Sequence, residues 1–401
     1  MKDGLSSRRV LSICQGEQGY MWVLTHKGVD RFDGKNFKHY QLMKNDDVVN
    51  FYPNLNMLYA DEKNKLWEIG KDGYIFIYDE MRDSFRLVFD MKTVFPQYKN
   101  LPVSAFYFGQ GEALMCSDKD IILYNIDNDS ISCIKDVTDE EISFISEAKV
   151  KGEYFLASKK HVYKADLSSA DFKKAKFSIQ NLENIGLIDY IYYHKESDCL
   201  VINSLTEGLF LYDTNNGALY NMGRKLTDVS INTIKPYGSS GYEVLIATDG
   251  DGVYRLDLRN RIFSTFLTED YSRLNRMNGS IIKDLCIDHD GRIWNVIYPT
   301  GITVYTEKYQ PYEWIRHSKD NSNSLIDNRI NDIMTDSEGD VWYATSNGIS
   351  CYDRSAGKWI SYLSAFVRNS KNDNHIFTSL CEYKPGVILA GGYMSGIYRI
   401  K

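Results

Sequence analysis

The sequence predicts an all-β chain, a β-propeller of four-stranded blades: seven close a first ring over 1–320, and the first two blades of a second, truncated propeller occupy 321–401. Three observations predict it. One motif recurs along the whole chain, each recurrence parses into four short strand-like runs, and a single polar stretch interrupts the series after the seventh copy.

The recurrence is plainest between "GYMWVLTHKGVDRFDG" (19–34) and "GDVWYATSNGISCYDR" (339–354). Anchored on Gly28, equivalent positions fall at Gly73, Asp120, His161, Gly208, Gly252, Gly301, Gly348 and Gly396, spaced by 41 to 49 residues. Nine units with so narrow a spread are one supersecondary element repeated.

Each unit opens on a short apolar alternation, such as "VLSIC" (10–14), "INTIK" (231–235) or "INDIM" (330–334). A polar turn such as "DHDG" or "DSEG" follows, then a run carrying Trp22, Trp67, Trp294 or Trp342. A tight turn ("THKG", "GKDG", "LTEG", "TDGDG", "TSNG") leads to a third run ending in an aromatic near an acid, as in "IFIYD" and "LFLYD". A weaker fourth run, such as "GKWISYL", closes the unit. Four runs bounded by Gly, Asp and Asn turns are four strands, and no unit holds a 3.6-period stretch long enough for a helix. A lone four-stranded sheet cannot bury both faces; stacking blades around an axis does so and leaves only short edges. The repeated Trp is therefore expected first as a blade-to-blade packing residue.

Nine blades exceed the usual range of four to eight. The stretch "HSKDNSNSLIDNR" (317–329) is the most polar in the chain, and the boundary is placed there. The alternative is one eight- or nine-bladed propeller over 1–401.

Composition agrees with a globular chain: 401 residues, 43% hydrophobic, 25% charged, with 30 Tyr against 7 Pro. Aromatic and β-branched richness leans toward strands. A net charge of −7 with no basic face argues against nucleic acid, and the Lys run "KKAK" (173–176) reads as a solvated loop. No segment approaches 18 consecutive apolar residues, so no membrane span is expected in the fragment. "MKDGLSSRRV" lacks the apolar core of a signal peptide, so Met1 is expected to be a fragment start. The seven Cys form no CxxC and no zinc-type pair, and are expected as packed core thiols.

The opening "MKDGLSSRRVLSICQGEQGYMWVLTHKGVDRFDGKNFKHY", the unit "GDVWYATSNGISCYD" and the stretch "ILAGGYMSGIYRI" (388–400) resemble the two-component-regulator propeller repeats in the periplasmic sensor region of Bacteroidetes hybrid two-component systems. The resemblance spans the chain. It is weak in units three and four, where "EALMCSDKDIILY" and "GEYFLASKKHVYK" lack both the Trp and the turn Gly. It implies two seven-bladed propellers and a small β-sandwich in the periplasm, followed by a membrane span, a histidine kinase, a receiver and a DNA-binding domain. It also implies detection of oligosaccharides released from glycans, and a receptor that works as a homodimer. The fragment has no kinase ATP-binding motif, so catalysis would lie outside it.

In a propeller the turns between second and third strands share one face with the connections between blades, around the axis opening. Loops on a rigid frame around a concave mouth are the favoured place for a ligand. Those turns carry His26, Lys27, Lys71, Asp72, Lys119, Lys160, His161, Glu207, Asp249, Asp251, Tyr298 and Thr300, with Tyr393 in the ninth unit. An oligosaccharide needs hydroxyl-matched polar groups and an aromatic ring, here Tyr298; the lysines would also suit an acidic glycan. "YPT" (298–300) and "GGYMSG" (391–396) are longer than their sibling turns, and longer turns are where function is often added. For any single turn residue, plain solvation of a turn is the readier explanation of its polarity.

Two other readings stand beside this one. "TDSEGDVW" (335–342) resembles the Asp box of sialidase propellers, but that box is a structural turn, and no arginine cluster or Tyr–Glu pair accompanies it, so no catalytic residue is assigned. "DGDG" (249–252) lacks the further acids of a calcium loop, so neither metal nor cofactor is expected. A scaffold that binds only protein partners, including the second propeller, is the remaining alternative.

Overall fold

The computed structural model describes residues 4–45, 47–49, 56–61, 63, 65–109, 111–167, 185–268, 277–306, 315–318, 321–363 and 375–400. The run 173–176 and residues 319–320 of the boundary stretch lie outside them. The architecture is all-β, with one short helix, Met91–Val94, and one 3-10 turn, Pro96–Tyr98, among the described residues. Nine antiparallel sheets follow the chain, each strand paired with the next in sequence, and a two-strand ribbon joins Met43–Lys44 to Asp47–Val48. The first strands of sheets 1 to 9 are Val10–Gln15, Asn56–Ala60, Ala105–Gly109, Phe144–Glu147, Ile188–His194, Ile231–Tyr237, Ile282–Ile287, Ile330–Thr335 and Phe377–Lys384. Six sheets show all four strands and sheets 4, 7 and 9 show three; the stretches after the third strands of sheets 4 and 7 fall outside the described residues.

The described chain forms two compact units, one holding sheets 1 to 7 and the other sheets 8 and 9. Every buried apolar cluster straddles two sheets. Sheets 1 and 2 share Leu24 and Phe76, sheets 2 and 3 share Ile69 and Met115, and sheets 3 and 4 share Leu114 and Leu156. The series continues through Phe155 with Ile202, Leu211 with Ile246, and Leu245 with Leu285. One cluster joins Ile13 and Val23 of sheet 1 to Val296 of sheet 7. In the second unit, Ala344 of sheet 8 packs with Ile388 of sheet 9. Each such side chain stabilises by roughly 1.5–3 kcal/mol on burial, and that gain exists only when two sheets meet.

Polar side chains on first strands fasten one sheet to the next. Leu58 N–H donates to Ser12 Oγ (3.1 Å), Tyr193 N–H to Ser146 Oγ (2.8 Å) and Ile231 N–H to Asp189 Oδ2 (2.8 Å). Asn232 Nδ2 donates to the carbonyl of Ile282 (2.8 Å), and its counterpart Asn331 donates to the carbonyl of Phe377 (2.7 Å).

The repeated Trp packs as expected. Trp22, Trp67 and Trp342 are buried and Trp294 is half-buried. Three of them are held by an acid six residues earlier: the indole N–H groups of Trp67, Trp294 and Trp342 donate to Asp61, Asp288 and Asp336 at 2.7–2.9 Å. Asp336 also accepts from the backbone N–H groups of Glu338 and Asp340, so "TDSEGDVW" is a side-chain-closed turn. Gly recurs in the next turn for a steric reason. Gly28 and Gly252 have φ of +128° and +79°, and a Cβ on either would lie 2.3–2.4 Å from a carbonyl oxygen, that of Tyr40 or Leu267.

The thiols divide. Cys116, Cys199 and Cys351 are buried, Cys14, Cys133 and Cys286 are half-buried, and Cys381 is exposed; all seven are free. The expectation of a packed core thiol fails at Cys381, because among the described residues of its unit sheet 9 packs on sheet 8 alone.

Candidate functional site

A cavity of about 320 Å3 is lined by the first strand of every one of sheets 1 to 7. Seven strands converging on one cavity define an axis in the first unit. Its wall carries Ser12, Asn56, Phe106, Phe144, Tyr190 and Asn232, together with three cations, Lys71, Lys235 and Lys283. A single acid, Asp284, lines it with them. Asp284 accepts from Ser12 Oγ at 2.6 Å and from Ile13 N–H at 3.1 Å, and stands 4.0 Å from Lys235 Nζ. Burial alone would push the Lys235 ammonium down, but Asp284 and the groups around it hold it above its usual value. Burial pushes the Lys71 ammonium down, and Lys159 adds to the effect.

The second-to-third strand turns place the sequence-predicted residues as follows. Lys71 reaches the axial cavity. Asp249 accepts an ion-pair hydrogen bond from Lys283 Nζ at 2.9 Å, and the same ammonium lies 5.9 Å from the centre of the Tyr298 ring. The turns of sheets 6 and 7 are thus joined through a first-strand lysine that also lines the cavity. Thr300 is exposed beside them. Asp72 faces a separate cavity of about 310 Å3 with Lys44, Tyr74 and Lys92. Burial raises its carboxyl above the usual range.

Other members of the set are engaged by their own turn or by the connection beside it. His161 Nδ1 stands 3.1 Å from Glu140 Oε1, Glu207 pairs with Arg224, and Asp251 accepts from the Tyr254 hydroxyl. Burial and the charge of Arg9 lower the His26 imidazole pKa. Lys27 and Lys160 present exposed side chains after turns closed by Thr25 and Ser158 hydroxyls. Lys119 is half-buried. Tyr393 is exposed in sheet 9, in the second unit, and is described with that unit alone.

Sequence reasoning confined to turns missed Lys235, Lys283, Asp284 and Tyr190. These occupy alternating apolar runs, and polar breaks within "INTIK" and "IIKDLCI" were the available signal. Among the described residues no cluster of three or more His, Cys, Asp or Glu is placed to hold a metal ion. No described helix is long and apolar enough to cross a membrane.

The model of the family described as "Two component regulator propeller" matches residues 4–27 and 324–347, in sheets 1 and 8. No curated protein sequence matches the chain. Among solved structures, the extracellular domain of a hybrid two component system from B. thetaiotaomicron aligns with a TM-score of 0.63 at 20% identity, over 100% of this chain and 52% of that one. A second extracellular domain of such a system, from the same organism, gives 0.56 at 15% identity, over 99% and 57%. A streptogramin B lyase gives 0.54 at 11% identity, over 76% and 96%. The chain therefore spans about half the length of the first two structures, and at these identities the likeness is one of fold. The chain thus carries two matches to the two-component regulator propeller repeat, in sheets 1 and 8, and shares its fold with those extracellular domains.

Proposed function

We propose that the chain is sensor propeller from the extracytoplasmic region of a hybrid two-component receptor, binding a glycan-derived oligosaccharide and relaying its presence to a kinase elsewhere in the protein. Binding without catalysis is the reading. The observation that carries it is the Asp249–Lys283–Tyr298 group, whose lysine lines the axial cavity: an ion pair and an exposed ring set side by side on a rigid frame. Lys71 and Lys235 widen the choice to acidic sugars. The two extracellular domains of matching fold support a periplasmic setting.

Sheets 1 to 7 are read as one closed seven-bladed ring, and sheets 8 and 9 as the first blades of a second. Ile333 of sheet 8 is 55% exposed, whereas its counterpart Ile13 is 2% exposed under a neighbouring sheet. Ile397 of sheet 9 is 79% exposed. Such bare apolar flanks suit further blades, and a homodimer of the whole receptor would supply the two-state element that ligand binding biases.

The test is isothermal titration of this chain and of a longer ectodomain against neutral and acidic oligosaccharides. Heat with one glycan class and no product supports the reading. Cleavage of a glycan, or silence from both proteins, overturns it. Binding by the ectodomain alone overturns the axial site and moves the ligand to a site this chain does not complete.

A further inference from the structure

A cavity of about 630 Å3 lies between sheets 1 and 2 and is lined by the first-to-second strand turns of both. Those turns are at the opposite ends of the strands from the turns carrying Lys71 and Tyr298. At this place the repeat breaks its own rule. Trp67, Trp294 and Trp342 each give their indole N–H to an Asp six residues earlier. Six residues before Trp22 stands Gly16. A Cβ there would lie 2.8 Å from Trp22 Nε1, so the indole occupies the room that the acid's side chain takes in the sibling turns. Trp22 is 4% exposed and lines the cavity, and among the described residues no group accepts from its N–H. The indole N–H therefore opens into the cavity, where a ligand oxygen can accept from it.

The wall around that donor has two characters. Trp22, Leu66 and Ile77 give apolar surface, while Tyr20 carries the Arg31 guanidinium 4.8 Å from its ring centre. Arg31 Nη1 donates to the Tyr78 hydroxyl at 3.2 Å and stands 3.7 Å from Asp83 Oδ1, which holds the guanidinium in place with further N–H groups to give. The lining holds four cationic and four acidic side chains and so has no net formal charge. A free anion or cation gains little there. A ring with apolar C–H faces and many hydroxyls, each able to donate and accept, meets all of these groups.

The geometry points to a binding site for a neutral saccharide unit in this cavity, with Trp22 Nε1 and Arg31 donating to its oxygens. It shares a ligand class with the proposed function but rests on different residues, so either can fail alone.

The experiment uses the 401-residue chain labelled with 15N-tryptophan, whose six Trp give six indole signals. Trp22→Phe assigns one of them and keeps the packed ring. Cellobiose, maltose and xylobiose are titrated, with galacturonate as the charged comparison. The expected result is a saturable shift of the Trp22 signal with a neutral disaccharide. Calorimetric affinity should fall about tenfold in Trp22→Phe, the loss of one net hydrogen bond. Arg31→Gln should weaken binding similarly. A Trp22 signal unmoved by every neutral sugar overturns the site, as does movement with galacturonate alone. Binding lost in Lys71→Ala but kept in Trp22→Phe also overturns it, and instead supports the axial site.

Discussion

The carboxylate of Asp284 accepts a hydrogen bond from the backbone N–H of Ile13, 271 residues away in sequence, at 3.1 Å. The same bond recurs between Asp332 and Leu380 N–H at 2.7 Å, where the two strands belong to consecutive sheets. Asp332 is the counterpart of Asp284, and Leu380 of Ile13. Sheet 1 therefore stands to sheet 7 as sheet 9 stands to sheet 8, the relation a closing seam requires.

That seam should be costly to break. Asp284→Ala removes the acceptor of Ser12 and Ile13 and leaves the half-exposed Lys235 ammonium without its carboxylate. Leaving a buried donor unsatisfied costs about 1–3 kcal/mol. Asp284→Ala is expected to destabilise the first unit by that amount in urea unfolding, and adding Lys235→Met should recover part of it. A double variant as unstable as the single one would show that the pair is not coupled.

Glu68 predicts a pH signature. It sits fully buried in the second strand of sheet 2; one oxygen accepts from Asn56 Nδ2 at 2.7 Å, and the other has no partner among the described residues. Burial, with the nearby Asp72, raises its carboxyl well above the usual range. A raised folded pKa means the folded chain holds a proton that the unfolded chain has released. That stability is complete below the unfolded value, near 4.3. It declines as pH rises toward the folded value. Glu68→Gln should match the parent at pH 4 and exceed it at pH 7 by about 1–3 kcal/mol in denaturant unfolding. Equal gaps at both pH values would assign Glu68 an ionised role instead.

The Asp–Trp clasp gives a local test and shows what the chain makes legible. Asp288→Ala frees the Trp294 indole and the Arg292 guanidinium together, and should cost about 1–3 kcal/mol in thermal or urea unfolding. Asp288→Asn keeps an acceptor and should cost less. No loss in either variant would mean water replaces the clasp without penalty.

The repeat of strands and turns could be read because packing imposes it on every unit: Trp67 and Trp342 are buried in the same way, and Gly28 and Gly252 meet the same carbonyl approach. The turn residues could be read as a set but not ranked. His161 and Glu207 are of the same residue types as the rest, yet Glu140 and Arg224, in the connections beside their sheets, occupy them. The axial cations stayed hidden for the converse reason. Lys235 and Lys283 look like solvent-side positions of alternating strands until seven such strands face one another. Gly16 was invisible because a missing side chain signals only when its three sibling acids are known to bind their tryptophans.

Tyr298 and Lys283 give the sharpest test of the axial reading. The Tyr298 ring is exposed, and among the described residues no hydrogen bond or core contact of the sheet depends on it, so Tyr298→Ala should leave stability within about 0.5 kcal/mol. Its loss should instead show in affinity, because a ring beside a charged group is the kind of anchor that dominates small interfaces. Calorimetry with the oligosaccharide that binds should show a loss of about 1–2 kcal/mol for Tyr298→Ala. Lys283→Met should cost more with an acidic glycan than with a neutral one, since it removes charge and frees Asp249 to repel the ligand. Unchanged affinity in both variants would move the ligand away from the axis, and the cavity beside Trp22 would then be the place to look.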